Sequence, residues 1–186
     1  MKHKKLGTTF KKLFLTLIVV AAMLQIVNAY VYTGYKWPWG SADWRFSTNF
    51  PDSYKQSVQN AANTWNNAGS SFRFNYQWYE VTSYVDWVDL GGNGPLGHTN
   101  IYKYPFTSSI SRAVTEMNSN SAKYWTTTQS PDYPPYDFET AALHEFGHWL
   151  SLAHTSDTST VMYDPYNGPK RSLTQDDKNG IKYIYP

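Results

Sequence analysis

In the run His144-Glu145-Phe146-Gly147-His148-Trp149-Leu150-Ser151-Leu152-Ala153-His154, the spacing of three imidazoles dictates the local course of the chain. On a helix, His144 and His148 are one turn apart and project from one face, with Glu145 beside them. His154 follows six residues later and leaves that face if the helix runs on straight. The chain must therefore turn after about Leu150 to bring the third ring round. Three neutral imidazoles at one point are the donor set of a zinc ion whose fourth position stays open for water.

Zinc held only by neutral ligands keeps its full charge and brings the pKa of a bound water to about 7. Glu145 would accept the proton as water attacks a carbonyl and pass it to the leaving nitrogen, the parts that amide hydrolysis requires. The plain alternative is a buried helix whose histidines are satisfied core residues. The third histidine argues against it.

Beyond His154 comes Val161-Met162-Tyr163-Asp164-Pro165, and together the two runs resemble a metzincin zinc metalloprotease, with Met162 at the Met-turn below the metal. Leu173-Thr174-Gln175-Asp176-Asp177-Lys178-Asn179-Gly180-Ile181-Lys182-Tyr183-Ile184-Tyr185 is similar to the closing helix of the matrixin family, peptidase M10, the matrix-metalloproteinase-like catalytic domains. The resemblance implies an α+β, zincin-like fold: a mixed twisted sheet with three helices. It implies one catalytic zinc on His144, His148 and His154, with Glu145 as general base. Ser151 departs from the pattern, standing where the family has the glycine that ends the active-site helix. A non-glycine residue in a left-handed conformation costs on the order of 1 kcal/mol or more, so a strained or reshaped turn is expected there.

The same resemblance places a substrate-pairing edge strand at about Ile110–Asn118, above the helix. It puts Thr140 at the S1′ pocket, where a small side chain suggests room for bulky apolar residues. The segment holding Tyr163, Pro165 and Tyr166 would form the outer wall, a packed turn being the alternative. Asp176 and Asp177 either support the Met-turn region and meet the mature amino terminus, or form a solvated first-turn pair. His98 is read as a surface or loop histidine, because a second zinc site needs several histidines and an aspartate. The resemblance also admits calcium, with Asp86, Asp89 and Asp132 as scattered oxygen donors.

Lys2, Lys4, Lys5, Lys11 and Lys12 precede an apolar run over 13–27, and Val27-Asn28-Ala29 ends it with small residues, as in a signal peptide over 1–29. A membrane anchor is the rival reading, although the run is short for a span. The leader holds five of the 16 basic residues and none of the 14 acidic ones, so residues 30–186 carry 11 against 14 and a net charge of −3. Nothing then argues for a nucleic-acid partner. The chain has no cysteine, which excludes disulfides and the propeptide thiolate that silences many matrixins. We expect one catalytic domain over 30–186 with no propeptide, a secreted, extracellular monomer with no membrane contact once the leader is removed.

Within that domain, hydrophobic periodicity predicts a strand at 44–46 and a helix over 53–68 with Tyr54, Val58, Ala61, Ala62 and Trp65 on one side. Further strands are expected over 72–79, 84–90, 99–104 and 113–117. Asp137 can cap the helix bearing the histidines, and Thr174 with Asp177 can form a capping box. The aromatic content, 8 Trp and 16 Tyr, exceeds what the catalytic motif needs. Core packing explains part of it. An exposed subset could grip a polymer, so two rivals to a protein or peptide substrate stand: a catalytically narrow or inactive secreted binding module, and a zinc hydrolase of non-protein amides.

Overall fold

The structure, a computed structural model, describes residues 30–130 and 134–186; the predicted signal peptide and Asp132 lie outside the described residues. In chain order the elements are β1 (Val31–Tyr32), β2 (Ser41–Phe46), α1 (Asp52–Asn66), β3 (Arg73–Tyr76), β4 (Tyr84–Val88), β5 (Gly97–Lys103) and β6 (Ile110–Asn118). They continue with β7 (Trp125–Thr126), β8 (Tyr136–Asp137), α2 (Phe138–Trp149), β9 (Leu152–Ala153) and α3 (Gln175–Ile184). One sheet of five strands in the order β3-β2-β4-β6-β5, all parallel except β5, stands against α1 and α2.

Alternation decides which side of the sheet is dry. In β2, Ala42, Trp44 and Phe46 are buried while Asp43 is exposed. Helix α1 turns Val58, Ala61, Ala62 and Trp65 into the core, a spacing that keeps one stripe facing inward. Trp65 is fully buried, and its Nε1 donates to the carbonyl of Leu143 at 2.9 Å, fastening α1 to α2. Tyr54 stacks on Phe138 with centroids 4.3 Å apart. The expected helix and strands are thus present, with boundaries moved by a few residues.

The edge strand is a correction. Ile110–Asn118 is β6, an inner strand paired with β4 on one side and β5 on the other. The edge on this side of the sheet is β5, with β3 at the opposite edge. The burial pattern explains the assignment: Ile110, Ala113, Val114, Thr115, Met117 and Asn118 are all buried, as an inner strand covered on both faces requires. No residue of β5 is fully buried, and its His98, Asn100 and Lys103 are polar, the composition of an edge left to solvent or to a partner strand.

Helix α2 begins where Asp137 accepts from Thr140 N at 2.8 Å, the cap expected from the sequence. Its other end is set by Ser151, whose φ of 66° reverses the chain, with Ser151 N donating to the carbonyl of His148 at 2.9 Å. The left-handed serine is therefore real. Directly after the reversal β9 pairs antiparallel with β1, and this short ladder carries the chain into His154. Among the described residues no helix is long and apolar enough to cross a membrane.

Candidate active site

His144 and His148 reach from one face of α2, and the turn at Ser151 brings His154 opposite them. His154 Nε2 lies 3.1 Å from His144 Nε2 and 3.1 Å from His148 Nε2. Nitrogens at about 2.0–2.1 Å from one tetrahedral zinc are separated by roughly 3.3 Å, so this spacing needs little adjustment. Among the described residues these three form the one group of His, Asp and Glu side chains whose donor atoms lie within 4.8 Å of one another.

Second contacts set the orientation of the rings. His144 Nδ1 meets the carbonyl of Val161 at 2.8 Å, and His148 Nδ1 meets that of Leu152 at 2.8 Å. A carbonyl only accepts, so each Nδ1 carries the hydrogen and each Nε2 turns a lone pair toward the common centre. Burial lowers the His144 pKa to about 4 and the His148 pKa to about 3, which keeps both rings neutral. Neutral imidazoles with converging lone pairs could hold one metal ion. Zinc fits this donor set.

Glu145, one residue after the first histidine, is 6% exposed and faces β5. Its Oε2 accepts from Thr99 Oγ1 at 2.6 Å. Gly97 lies against it as well: a Cβ there would fall 2.8 Å from Glu145 Cγ and 2.9 Å from Oε1. Burial raises the Glu145 pKa to about 7, while the Thr99 hydrogen bond works in the opposite direction. Neither Thr99 nor Gly97 was singled out from the sequence. Both lie on β5, which borders the cleft with Gly97, His98, Thr99 and Ile101.

Met162, 1% exposed, packs under α2 against Gly147, where a Cβ would come within 2.2 Å of its Sδ. Gly147 is what allows the methionine to sit there. Asp177 is buried and its Oδ2 accepts from Val161 N at 3.2 Å, tying α3 to the segment that orients His144. It also completes a capping box with Thr174. Asp177 thus supports the Met-turn segment, the part of the expectation that its hydrogen bonds bear on.

A cleft of about 740 Å³ opens over the histidines, and Thr140, Tyr163, Pro165 and Tyr166 all border it. The Thr140 hydroxyl is engaged on both sides: it donates to Asp137 Oδ1 at 2.6 Å and accepts from Lys170 N at 2.8 Å. Tyr166 Oη accepts from Asp137 N at 3.1 Å. The segment holding Tyr166 is therefore tied to the start of α2. Asp164, absent from the expected site, places its Oδ1 3.5 Å from His154 Nε2.

His98 is an exposed residue of β5 opposite Glu116, as a surface histidine should be. Asp86 caps its neighbour Trp87 N at 2.9 Å, and Asp89 accepts from Gly91 N at 2.8 Å and from Asn120 Nδ2 at 3.0 Å. The glycine-rich loop after Asp89 is held by side-chain donors. Asn118 Nδ2 donates to the carbonyls of Gly91 and Pro95 at 3.0 and 2.7 Å, and buried Lys123 donates to those of Gly92 and Gly94.

The matrixin profile of peptidase M10 matches residues 37–186, and the chain belongs to that family. It is similar to Metalloendoproteinase 1 of Glycine max, 35% identical over 101 residues that make up 51% of this chain and 30% of the relative. It is 44% identical to the neutrophil collagenase of Homo sapiens over 101 residues, 52% of this chain and 21% of that protein. Metalloendoproteinase 2-MMP of Arabidopsis thaliana is 45% identical over 51 residues, 26% of this chain and 14% of the relative. The alignments thus take in less than a third of each relative's length.

Proposed function

We propose that this protein is a secreted zinc-dependent endopeptidase, with His144, His148 and His154 as metal ligands and Glu145 as general base. The observation that carries the reading is the meeting of three ring nitrogens, two of them 3.1 Å from the third, beside a buried carboxylate in an open cleft. A pure binding module has no need of that carboxylate. The relatives named as metalloendoproteinases and as a collagenase support a peptide substrate over another amide.

When bound, zinc supplies a Lewis acid that acidifies water and polarises the scissile carbonyl. The chain's own groups do the rest. Peptide adds antiparallel or parallel to the free edge of β5, which aligns its backbone across the cleft. Glu145 takes a proton from the attacking water as the carbon–oxygen bond forms, then returns it to the nitrogen as the carbon–nitrogen bond breaks. Thr140, Tyr163, Pro165 and Tyr166 line the pocket for the residue after the scissile bond. Met162, buried against Gly147 of α2, would underlie the histidines that hold the zinc. Residues 1–29 serve as the signal peptide, and the domain over 30–186 acts outside the cell as a monomer.

Metal removal tests the reading. A chelator should abolish hydrolysis of an unfolded protein substrate, and stoichiometric zinc should restore it. Hydrolysis that persists in fully metal-depleted protein would contradict the proposal.

A further inference from the structure

Behind Glu145 lies a line of hydrogen bonds that crosses the sheet. Trp149 Nε1 donates to Thr115 Oγ1 at 2.7 Å, Thr115 Oγ1 lies 2.7 Å from Thr99 Oγ1, and Thr99 Oγ1 lies 2.6 Å from Glu145 Oε2. Trp149 is fully buried, Thr115 is 3% exposed and Glu145 6% exposed, while Thr99 is half-buried at the wall of the cleft, so the line runs from the dry interior to the edge of the site. With the carboxylate ionised, the direction of each follows. An indole nitrogen only donates, so Thr115 accepts from Trp149. An ionised carboxylate only accepts, so the single hydroxyl hydrogen of Thr99 points at Oε2. Thr115 is left to donate to Thr99. Every hydrogen in the line points toward the carboxylate.

We infer that Thr99 is a positioning residue for Glu145: as the last donor of this line it occupies Oε2 and reserves Oε1 for the proton taken from water. The inference rests on the proposed role of Glu145 as base. A proton placed on Oε2 would turn the Thr99 hydrogen away from its 2.6 Å bond, either to the Glu145 carbonyl 3.4 Å away or to Thr115, whose oxygen already receives the indole, each a poorer partner than Oε2. A proton on Oε1 disturbs nothing. Gly97 leaves space on that side, since any Cβ would stand 2.9 Å from Oε1. The carboxylate is thereby held with one oxygen engaged and the other presented, a geometry whose loss by about 1 Å costs up to roughly a hundredfold in rate.

Thr99→Val keeps the shape and removes the donor, whereas Thr99→Ser keeps the donor. With zinc content and KM for a peptide substrate unchanged, Thr99→Val is expected to lower kcat by about tenfold to a hundredfold, and Thr99→Ser by less than about threefold. Equal kcat for the parent and Thr99→Val would overturn the inference, as would equal losses in both variants. A second readout needs neither zinc nor turnover. In the metal-free protein, Thr99→Val should lower Tm by about 3–6 °C when Glu145 is present and by clearly less in the Glu145→Ala background. The same drop in both backgrounds would show that the hydroxyl serves the fold alone and would overturn the link. If the parent hydrolyses no peptide, the endopeptidase reading falls, while the Tm cycle still decides whether Thr99 holds Glu145.

Discussion

Ser151 concentrates the strain of the site in one residue. Its φ of 66° is a conformation that costs an L side chain about 1–2 kcal/mol, and it is 2% exposed, so solvent offers it no relief. Ser151→Gly should raise stability by about 0.5–1 kcal/mol, read by denaturant unfolding, without changing zinc affinity. A loss of stability would mean that the serine side chain supports the turn. The reversal was legible in the spacing, because two helical histidines and a third six residues on demand a turn after about Leu150, and the resemblance to matrixins singled out Ser151. Thr99 was not: which face of a strand meets the active-site helix depends on where that strand lies in the sheet, and local pattern does not encode strand order.

Tyr185 is a second residue with a measurable signature. Burial raises its pKa well above the ordinary 10.0, against the pull of the hydrogen bond that its Oη accepts from Trp37 N at 2.9 Å. As pH rises past about 10 the unfolded chain releases the phenolic proton and the folded chain retains it, so stability is full below that value and falls above it. Tyr185→Phe should be somewhat less stable at pH 8 yet lose less stability between pH 9 and pH 11. An unchanged slope would place the alkaline sensitivity elsewhere.

At the scale of elements, α3 does more than close the chain. Its Asp177 accepts from Thr174 N at 2.9 Å and Thr174 Oγ1 at 2.7 Å, and from Val161 N at 3.2 Å. One carboxylate therefore caps the helix and anchors the segment whose carbonyl orients His144. Asp177→Ala should cost about 2–3 kcal/mol, more than the ~1 kcal/mol of Thr174→Ala, and should weaken zinc binding as well. Equal costs for the two variants, with zinc affinity intact, would reduce Asp177 to a simple cap. The capping box itself could be read directly, since Thr174 and Asp177 stand at the required spacing. The reach to Val161 could not, because it joins residues sixteen positions apart. The edge strand failed for a related reason. Ile110–Asn118 looks like any strand in isolation, and only its pairing with both β4 and β5 makes it an inner one.

On the scale of the whole molecule, the aromatic excess divides between structure and surface. Trp44, Trp65 and Trp149 are buried at 1% exposure or less and bind the sheet to the two helices. Trp39 and Trp78, at 78% and 88% exposure, remain open to contact. The fold class was readable because the helix bearing the histidines, the closing helix and the parity of the strands each left a local pattern. The arrangement around Glu145 was not, since β5, β6 and α2 meet there only after the sheet has formed. One comparison tests the account as a whole: digestion of an unfolded protein by the purified parent and by Glu145→Ala, with zinc measured in both. The account predicts cleavage by the parent and a loss of at least about a hundredfold in the variant at equal zinc content. Equal cleavage by both, or none by a folded and zinc-loaded parent, would contradict it.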